Sequence, residues 1–382
     1  MVGHDRGLHL VCVDRRGHDL RRGVGDVDGD APTGRDALQN VTNVFPTVAT
    51  VLERAIASRV FPGAIVEVGR ADGAIATLAR GALSYGPGAR GVDPGTIYDL
   101  ASLTKVLATT ALMVNELSSG RMRTNDRVRH WIASWTGDER QPVTIQDLLE
   151  HCSGLPAHRP YWEHRRGRAS FELAIGEEPL AYLPRTQSIY SDPGFMLLGF
   201  AIEHAAAATL DRLFDDWRSR ELGPEVVLAF RPPETWRSRT APTEDTTHGD
   251  ERRGEVHDEN CAALDGVAGH AGLFGTAAAV GACARWWLAS PALPAFARKS
   301  ATPGSSRALG WDTMLPASSC GTSLSARAIG HTGFTGTSLW IDPEQDLYVV
   351  LLSNRVHPTR TGEGIQDARR ALHDAVVADL SD

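Results

Sequence analysis

Cysteine is scarce in this chain, with five among 382 residues. Cys12, Cys152, Cys261, Cys283 and Cys320 are odd in number, far apart and form no C-x-x-C pair. That pattern argues against a disulfide framework and a structural zinc site, and reads as buried free thiols. Long apolar runs are missing too, and none approaches the ~20 residues that span a bilayer. Nor is there a basic excess. Lys plus Arg total 39 against 47 Asp plus Glu, a net charge of −8, which speaks against nucleic acid or an anionic membrane as the main partner. The 38 Gly and 21 Pro show no period, and 42% of residues are hydrophobic. Collagen and global disorder are therefore excluded, leaving the composition of a soluble globular protein.

Residues 1–37 are rich in Gly, Asp and Arg, as in Arg15-Arg16 and Arg21-Arg22. Their longest apolar stretch, Leu10–Val13, is too short for the core of a secretory signal. The segment reads as an unstructured leader or a start codon placed too early; the expected location is cytoplasmic, or periplasmic or extracellular if the start is misplaced.

Apolar residues Phe45, Val48, Val51, Leu52, Ala55 and Ile56 recur at helical spacing, predicting an amphipathic helix. Two strand-like runs follow, 64–69 and 74–79, with a hairpin turn at Ala71-Asp72-Gly73. From Ser102 to Leu117 the chain is almost wholly apolar or small, which predicts a central buried helix. Residues 121–260 are richer in Trp, Arg, Glu and Pro, with a helix around Asp211–Trp217. Further strands are expected at 308–313, 338–341 and 347–352, a hairpin turn at 343–346, and a last helix over 364–380. The order predicts an α+β fold. Residues 38–120 and 261–382 form a body with an antiparallel sheet flanked by helices, and 121–260 are a mostly helical inserted domain.

Three clusters carry chemistry. In Ser102-Leu103-Thr104-Lys105, residues three apart share one helix face, so the Ser102 hydroxyl falls beside the Lys105 amine. A helix N-terminus there favours a developing oxyanion, and apolar surroundings are expected to lower the lysine's pKa. Ser as N-cap and Lys as a snorkelling residue is the plainer alternative. Tyr190-Ser191-Asp192 comes second. A tyrosine near an ammonium loses its proton more easily and serves as acid or base; a core aromatic is the alternative. His331-Thr332-Gly333 is third, followed by Phe334. Its glycine permits close approach of a ligand to the backbone, and the Phe334 amide is a candidate oxyanion donor beside that of Ser102.

In this order and spacing the three resemble the S-x-x-K, Y-x-N and K/H-T-G motifs of serine β-lactamases and penicillin-binding proteins. The likeness is to the branch of class C β-lactamases and D-Ala-D-Ala carboxypeptidases and esterases. Tyr98-Asp99-Leu100-Ala101, Leu148–Pro156, Val256–Asn260 and Gly269–Phe274 are similar to further segments of that branch, and the likeness extends over 45–377. It implies a β-lactamase/transpeptidase-like fold and an acyl-enzyme hydrolase. Ser102 would be the nucleophile, with Lys105 and Tyr190 sharing the proton work and the Ser102 and Phe334 amides holding the oxyanion. No metal or organic cofactor is implied. The substrate would be a small-molecule or peptide-like ester or amide, and the oligomeric state is left open. A zinc site from His151, His158, His164 and His257 lacks the H-E-x-x-H pattern.

Two positions depart from the pattern. Asp192 stands where β-lactam-binding members carry Asn, and an ionised Asp cannot donate to a substrate carbonyl. His331 replaces a Lys and supplies less positive charge. Both point towards an esterase, amidase or peptidase, or a weak β-lactamase. A non-catalytic ligand-binding or sensor member of the fold and an acyltransferase are the alternatives. Trp131, Trp135, Trp162, Trp236 and Trp311 are expected mostly in cores. The basic segment Arg159–Arg168 is read as a solvated loop or a contact for an anionic substrate.

Overall fold

The computed structural model describes residues 44–246 and 248–381. The expected leader, 1–37, lies outside them, as does Cys12. Helix α1 (Pro46–Ala57) begins with Pro at its first turn, where a missing N–H costs nothing. Strands β1 (Gly63–Arg70) and β2 (Gly73–Gly81) pair antiparallel, with Arg70 opposite Gly73. The hairpin loop is therefore Ala71-Asp72, and Gly73 already belongs to β2. After β3 (Tyr98–Asp99) come α2 (Thr110–Ser118), α3 (Val128–Trp131), α4 (Ile145–Leu149), α5 (Arg168–Glu177), α6 (Asp192–Ala206) and α7 (Leu210–Glu221). The chain continues through β4 (Leu228–Phe230), α8 (Glu259–Ala262), β5 (Leu273–Gly275), α9 (Ala277–Ala289) and α10 (Leu293–Phe296). It ends with β6 (Asp312–Thr313), β7 (Ile329–Thr332), β8 (Ser338–Asp342), β9 (Leu347–Ser353) and α11 (Ile365–Ser381). The strand expected over 308–313 shrinks to β6, because Gly310 lies at φ 84 and breaks extended pairing.

The main sheet has the order β2-β1-β9-β8-β7-β6, antiparallel throughout. Alternation along the strands sorts side chains onto two faces. Val66, Val68, Val349 and Leu351 pack with Val48 and Leu52 of α1 and with Leu372 and Val376 of α11. Ile65, Val350 and Leu352 join the larger core, which includes Val280, Ala284 and Trp287 of α9. Both faces are buried, so the strands are apolar almost end to end. A second sheet, β3-β5-β4, joins residues just before Ser102 to Leu273–Gly275 and Leu228–Phe230. No single helix among the described residues is long and apolar enough to cross a membrane. Cys152, Cys261, Cys283 and Cys320 are free and buried.

Candidate active site

Ser102 does not open a regular α-helix. Ala101–Leu103 forms a 3-10 turn, Lys105–Thr109 a π turn, and only then does α2 begin. Hydroxyls take up the carbonyls of this distorted stretch: Thr104 donates to Ala101 O at 2.6 Å and Thr110 to Lys105 O at 2.7 Å. The 3-10 turn is tighter and the π turn wider than an α turn, and such irregular turns are frequent at functional sites. The predicted juxtaposition survives, with Lys105 Nζ 3.1 Å from Ser102 Oγ.

Lys105 is fully buried, and its ammonium spends all three protons. It donates to Ser102 Oγ, to Asp192 Oδ1 at 2.7 Å and to the His270 carbonyl at 3.0 Å. Burial works against the charge, but the Asp192 carboxylate and Tyr190 outweigh it and hold the pKa above its usual value. The expected lowering is thus reversed, because an apolar helix supplies only half of the lysine's surroundings. Asp192 stays ionised, since Lys105 overcomes the effect of burial and keeps its carboxyl well below the usual range.

Tyr190 lies on the extended segment leading into α6, its hydroxyl facing Ser102 and Lys105. Lys105 Nζ is 4.8 Å from its ring centroid. Burial raises the phenol's pKa, Lys105 lowers it, and Asp192 raises it again, for a net increase. The resting hydroxyl therefore keeps its proton, contrary to the expectation from lysine proximity alone. The ring is packed by His151 at 4.8 Å and His331 at 5.8 Å, with the Arg307 guanidinium 5.2 Å from its centroid. His151 also accepts the Ser191 amide on Nδ1 at 3.0 Å, and its carbonyl accepts Ile189 N–H. The loop of residues 148–156 thereby fixes the tyrosine segment.

His331 and Thr332 end β7, and Gly333 follows. A Cβ on Gly333 would run into Thr337 Oγ1 and lie 2.6 Å from Leu100 O. Only glycine lets this backbone come so close to the residues before Ser102. Thr335 and Thr337 hydroxyls donate to Asp99 O at 2.7 Å and Leu100 O at 3.1 Å, stapling the two segments together. Arg369 of α11 braces the same turn from behind, donating to Gly333 O and Thr337 O, each at 2.8 Å. His331 is buried and neutral: burial, Lys105 and Arg307 all depress its pKa well below the usual value. Its Nδ1 lies 2.9 Å from Thr332 O, and its buried Nε2 has no partner.

Ser102, Tyr190, Asp192, His331, Thr332, Gly333 and Phe334 line one cleft of about 580 Å³. Arg307 and Arg355 line it too. Phe334 stands half-exposed at its mouth, beneath Arg355 and stacked on His257. A larger adjoining cavity shares His257 and Glu259 with it and includes Trp162 and Arg166. Within the basic segment, Arg159 pairs with Glu178, and Arg168 with Glu172 and Glu203. Trp135 and Trp311 are buried, whereas Trp131, Trp162 and Trp236 are partly exposed. The four histidines weighed as zinc ligands do not converge: His151 packs on Tyr190, His158 faces Asp192, His257 stacks on Phe334 and His164 is exposed near Glu163.

Residues 48–374 match the family model described as "Beta-lactamase". The chain belongs to the beta-lactamase family. An Escherichia coli (strain K12) protein named "Putative D-alanyl-D-alanine carboxypeptidase" is 31% identical over 316 residues, covering 69% of this chain and 70% of the relative. Among solved structures, "EstCE1, a hydrolase with promiscuous acyltransferase activity" superposes with a TM-score of 0.70 at 20% identity, covering 90% of this chain and 100% of its own. A "Beta-lactamase/D-alanine Carboxypeptidase from Yersinia pestis" gives 0.70 at 17%, covering 89% and 99%. These likenesses establish the β-lactamase/transpeptidase-like α+β fold. As a beta-lactamase-family member, the chain is a serine hydrolase or an acyltransferase of the same chemistry.

Several cleft residues escaped the sequence reading, among them Arg307, Arg355 and Arg369. One signal was available for the lysine: among 39 basic residues only two are Lys, at 105 and 299. The arginines are spread along the chain, and nothing local marks those that fold onto the cleft.

Proposed function

We propose that the chain forms an acyl-enzyme on Ser102 and acts on peptide-like esters or amides that bear a carboxylate. The fully buried Lys105 ammonium, held against Ser102 Oγ and Asp192, is the observation that carries this reading. It polarises the serine oxygen and stabilises a phenolate at Tyr190. Tyr190, once deprotonated, takes the Ser102 proton as Oγ attacks the carbonyl, and returns it to the leaving group. The Ser102 and Phe334 amides receive the oxyanion, and water or another nucleophile then releases the acyl group. Because Tyr190 holds its proton above the usual phenol range and acts as the phenolate, activity rises towards alkaline pH as long as Lys105 keeps its charge. Arg307 and Arg355 supply positive charge that neutral His331 does not, which supports a substrate carboxylate, as does the carboxypeptidase name of the Escherichia coli relative.

A panel of p-nitrophenyl esters, nitrocefin and D-Ala-D-Ala peptides, each run with Ser102→Ala, tests the reading. Turnover lost in Ser102→Ala, together with a fluorophosphonate adduct on the Ser102 peptide, is expected. Equal turnover by Ser102→Ala would overturn it. Ligand binding with no turnover on any substrate would favour the non-catalytic alternative.

A further inference from the structure

Asp99 is buried at the end of β3, three residues before Ser102. Its oxygens tie together three segments of the site. Oδ1 accepts the Ala101 N–H at 2.8 Å, Oδ2 accepts the His257 N–H at 2.7 Å, and the carbonyl accepts the Thr335 hydroxyl at 2.7 Å. Each partner adjoins a reacting group. Ala101 sits at φ 46, a left-handed conformation that a residue with a Cβ adopts only when its surroundings hold it there. The residue after it is Ser102. Thr335 follows Phe334, and the His257 ring is stacked 5.8 Å from the Phe334 ring. The carboxylate thus fixes the turn that aims the serine and, through His257, one side of the residue whose amide is the second oxyanion donor, while the Asp99 main-chain carbonyl holds the other side through Thr335.

We infer that Asp99 is a positioning residue for the acyl-transfer step, acting through the Ser102 turn and the Phe334 loop. The inference rests on Ser102 being the nucleophile. It needs the ionised carboxylate, because each Oδ accepts a different backbone amide and a protonated oxygen is a poor acceptor. The ionisable groups facing Asp99 are Asp258, Arg252, His257 and Cys261. Burial and, to a lesser extent, Asp258 push its pKa up to about 6, against the two amides and Arg252. Protonation below that value withdraws an acceptor from the site, so turnover falls on the acid side. His151 and His331 titrate well below their usual value, His257 below it and His158 above it, so the limb belongs to Asp99 only if it disappears in Asp99→Asn.

The test uses the full chain with Asp99→Asn, Asp99→Ala and Thr335→Val. It measures kcat and KM on a p-nitrophenyl ester from pH 5 to 8, the rate of fluorophosphonate labelling, and thermal melting. In Asp99→Asn one amide keeps an acceptor and the other meets an NH₂ group. Its kcat should fall about tenfold with KM nearly unchanged, labelling should slow in proportion, and the acid limb should disappear. Asp99→Ala should lose more. Thr335→Val should lose less and keep the acid limb, which preserves the test if neither Asp99 variant folds. A folded Asp99→Asn protein with wild-type kcat and an intact acid limb overturns the inference. So does a loss of melting temperature with no change in kcat. Wild-type turnover without label on Ser102 would instead overturn the nucleophile assignment, and this inference with it.

Discussion

The two walls of the cleft carry buried basic side chains that meet opposite fates. Lys105 and His331 are both almost wholly buried. Lys105 keeps its charge and His331 loses it. Burial disfavours the cation in both, so burial does not explain the difference. The partners do. Lys105 faces the Asp192 carboxylate at 2.7 Å, whereas His331 faces the cations Lys105 and Arg307 and spends Nδ1 on a backbone carbonyl. A buried charge persists where an opposite charge and hydrogen bonds replace its lost water. The site thus has an ion-paired wall, which holds the nucleophile, and a neutral wall, which shapes the cleft.

Removing the charge from the first wall gives the largest expected effect. Lys105→Met should lower kcat/KM by roughly 10³-fold or more, in the range set by loss of a positioned acid–base group, with steady-state kinetics as the readout. Gly333→Ala comes next, because a Cβ has no room against Thr337 Oγ1 and Leu100 O. Displacing the neutral wall from Ser102 should cost on the order of 10²-fold in kcat, while far-UV circular dichroism stays unchanged.

Asp192→Asn removes the partner that separates the two walls. Asp192 raises both Lys105 and Tyr190, so without it the alkaline rise of kcat/KM, which follows the Tyr190 phenolate, moves to lower pH. Each unit of that movement is worth about tenfold at a fixed pH on the limb. The new amide also donates a hydrogen bond, so acylation by a chromogenic cephalosporin should increase in stopped-flow measurements. Unchanged or slower acylation would show that the ion pair does not restrain the site.

The smallest effect concerns stability. With its pKa depressed, His331 stays neutral in the folded chain while the unfolded chain takes up a proton below about pH 6.5. Stability due to this group is therefore present above that pH and lost as pH falls, at up to about 1.4 kcal/mol per pH unit. His331→Asn should reduce the acid slope of chemical-denaturation stability between pH 6.5 and 5 by that amount. An unchanged slope would mean that His331 takes up a proton when folded.

Much of this arrangement was legible one segment at a time. Helical spacing located α1 and α11 almost to the residue, and the strand-like apolar runs 64–69 and 347–352 match β1 and β9. Ser102, Lys105, Tyr190 and the turn after His331 were marked by local motifs, and all face one cleft. The distorted turn at 101–109 was not legible, since hydroxyls of Thr104 and Thr110 compete there for backbone carbonyls. Nor were Arg307, Arg355 and Arg369, which differ from other arginines only in where the chain carries them.

The sequence by itself determined which elements form and which side chains can react, because periodicity and short-range spacing act over one or two turns. The tertiary structure alone decided their protonation. Asp192 lies 87 residues from Lys105 in the chain and 2.7 Å from it in space, and Arg307 meets Tyr190 and His331 only through folding. A proton's affinity is set by all charges within a few ångströms, and those distances exist only once the distant segments pack together.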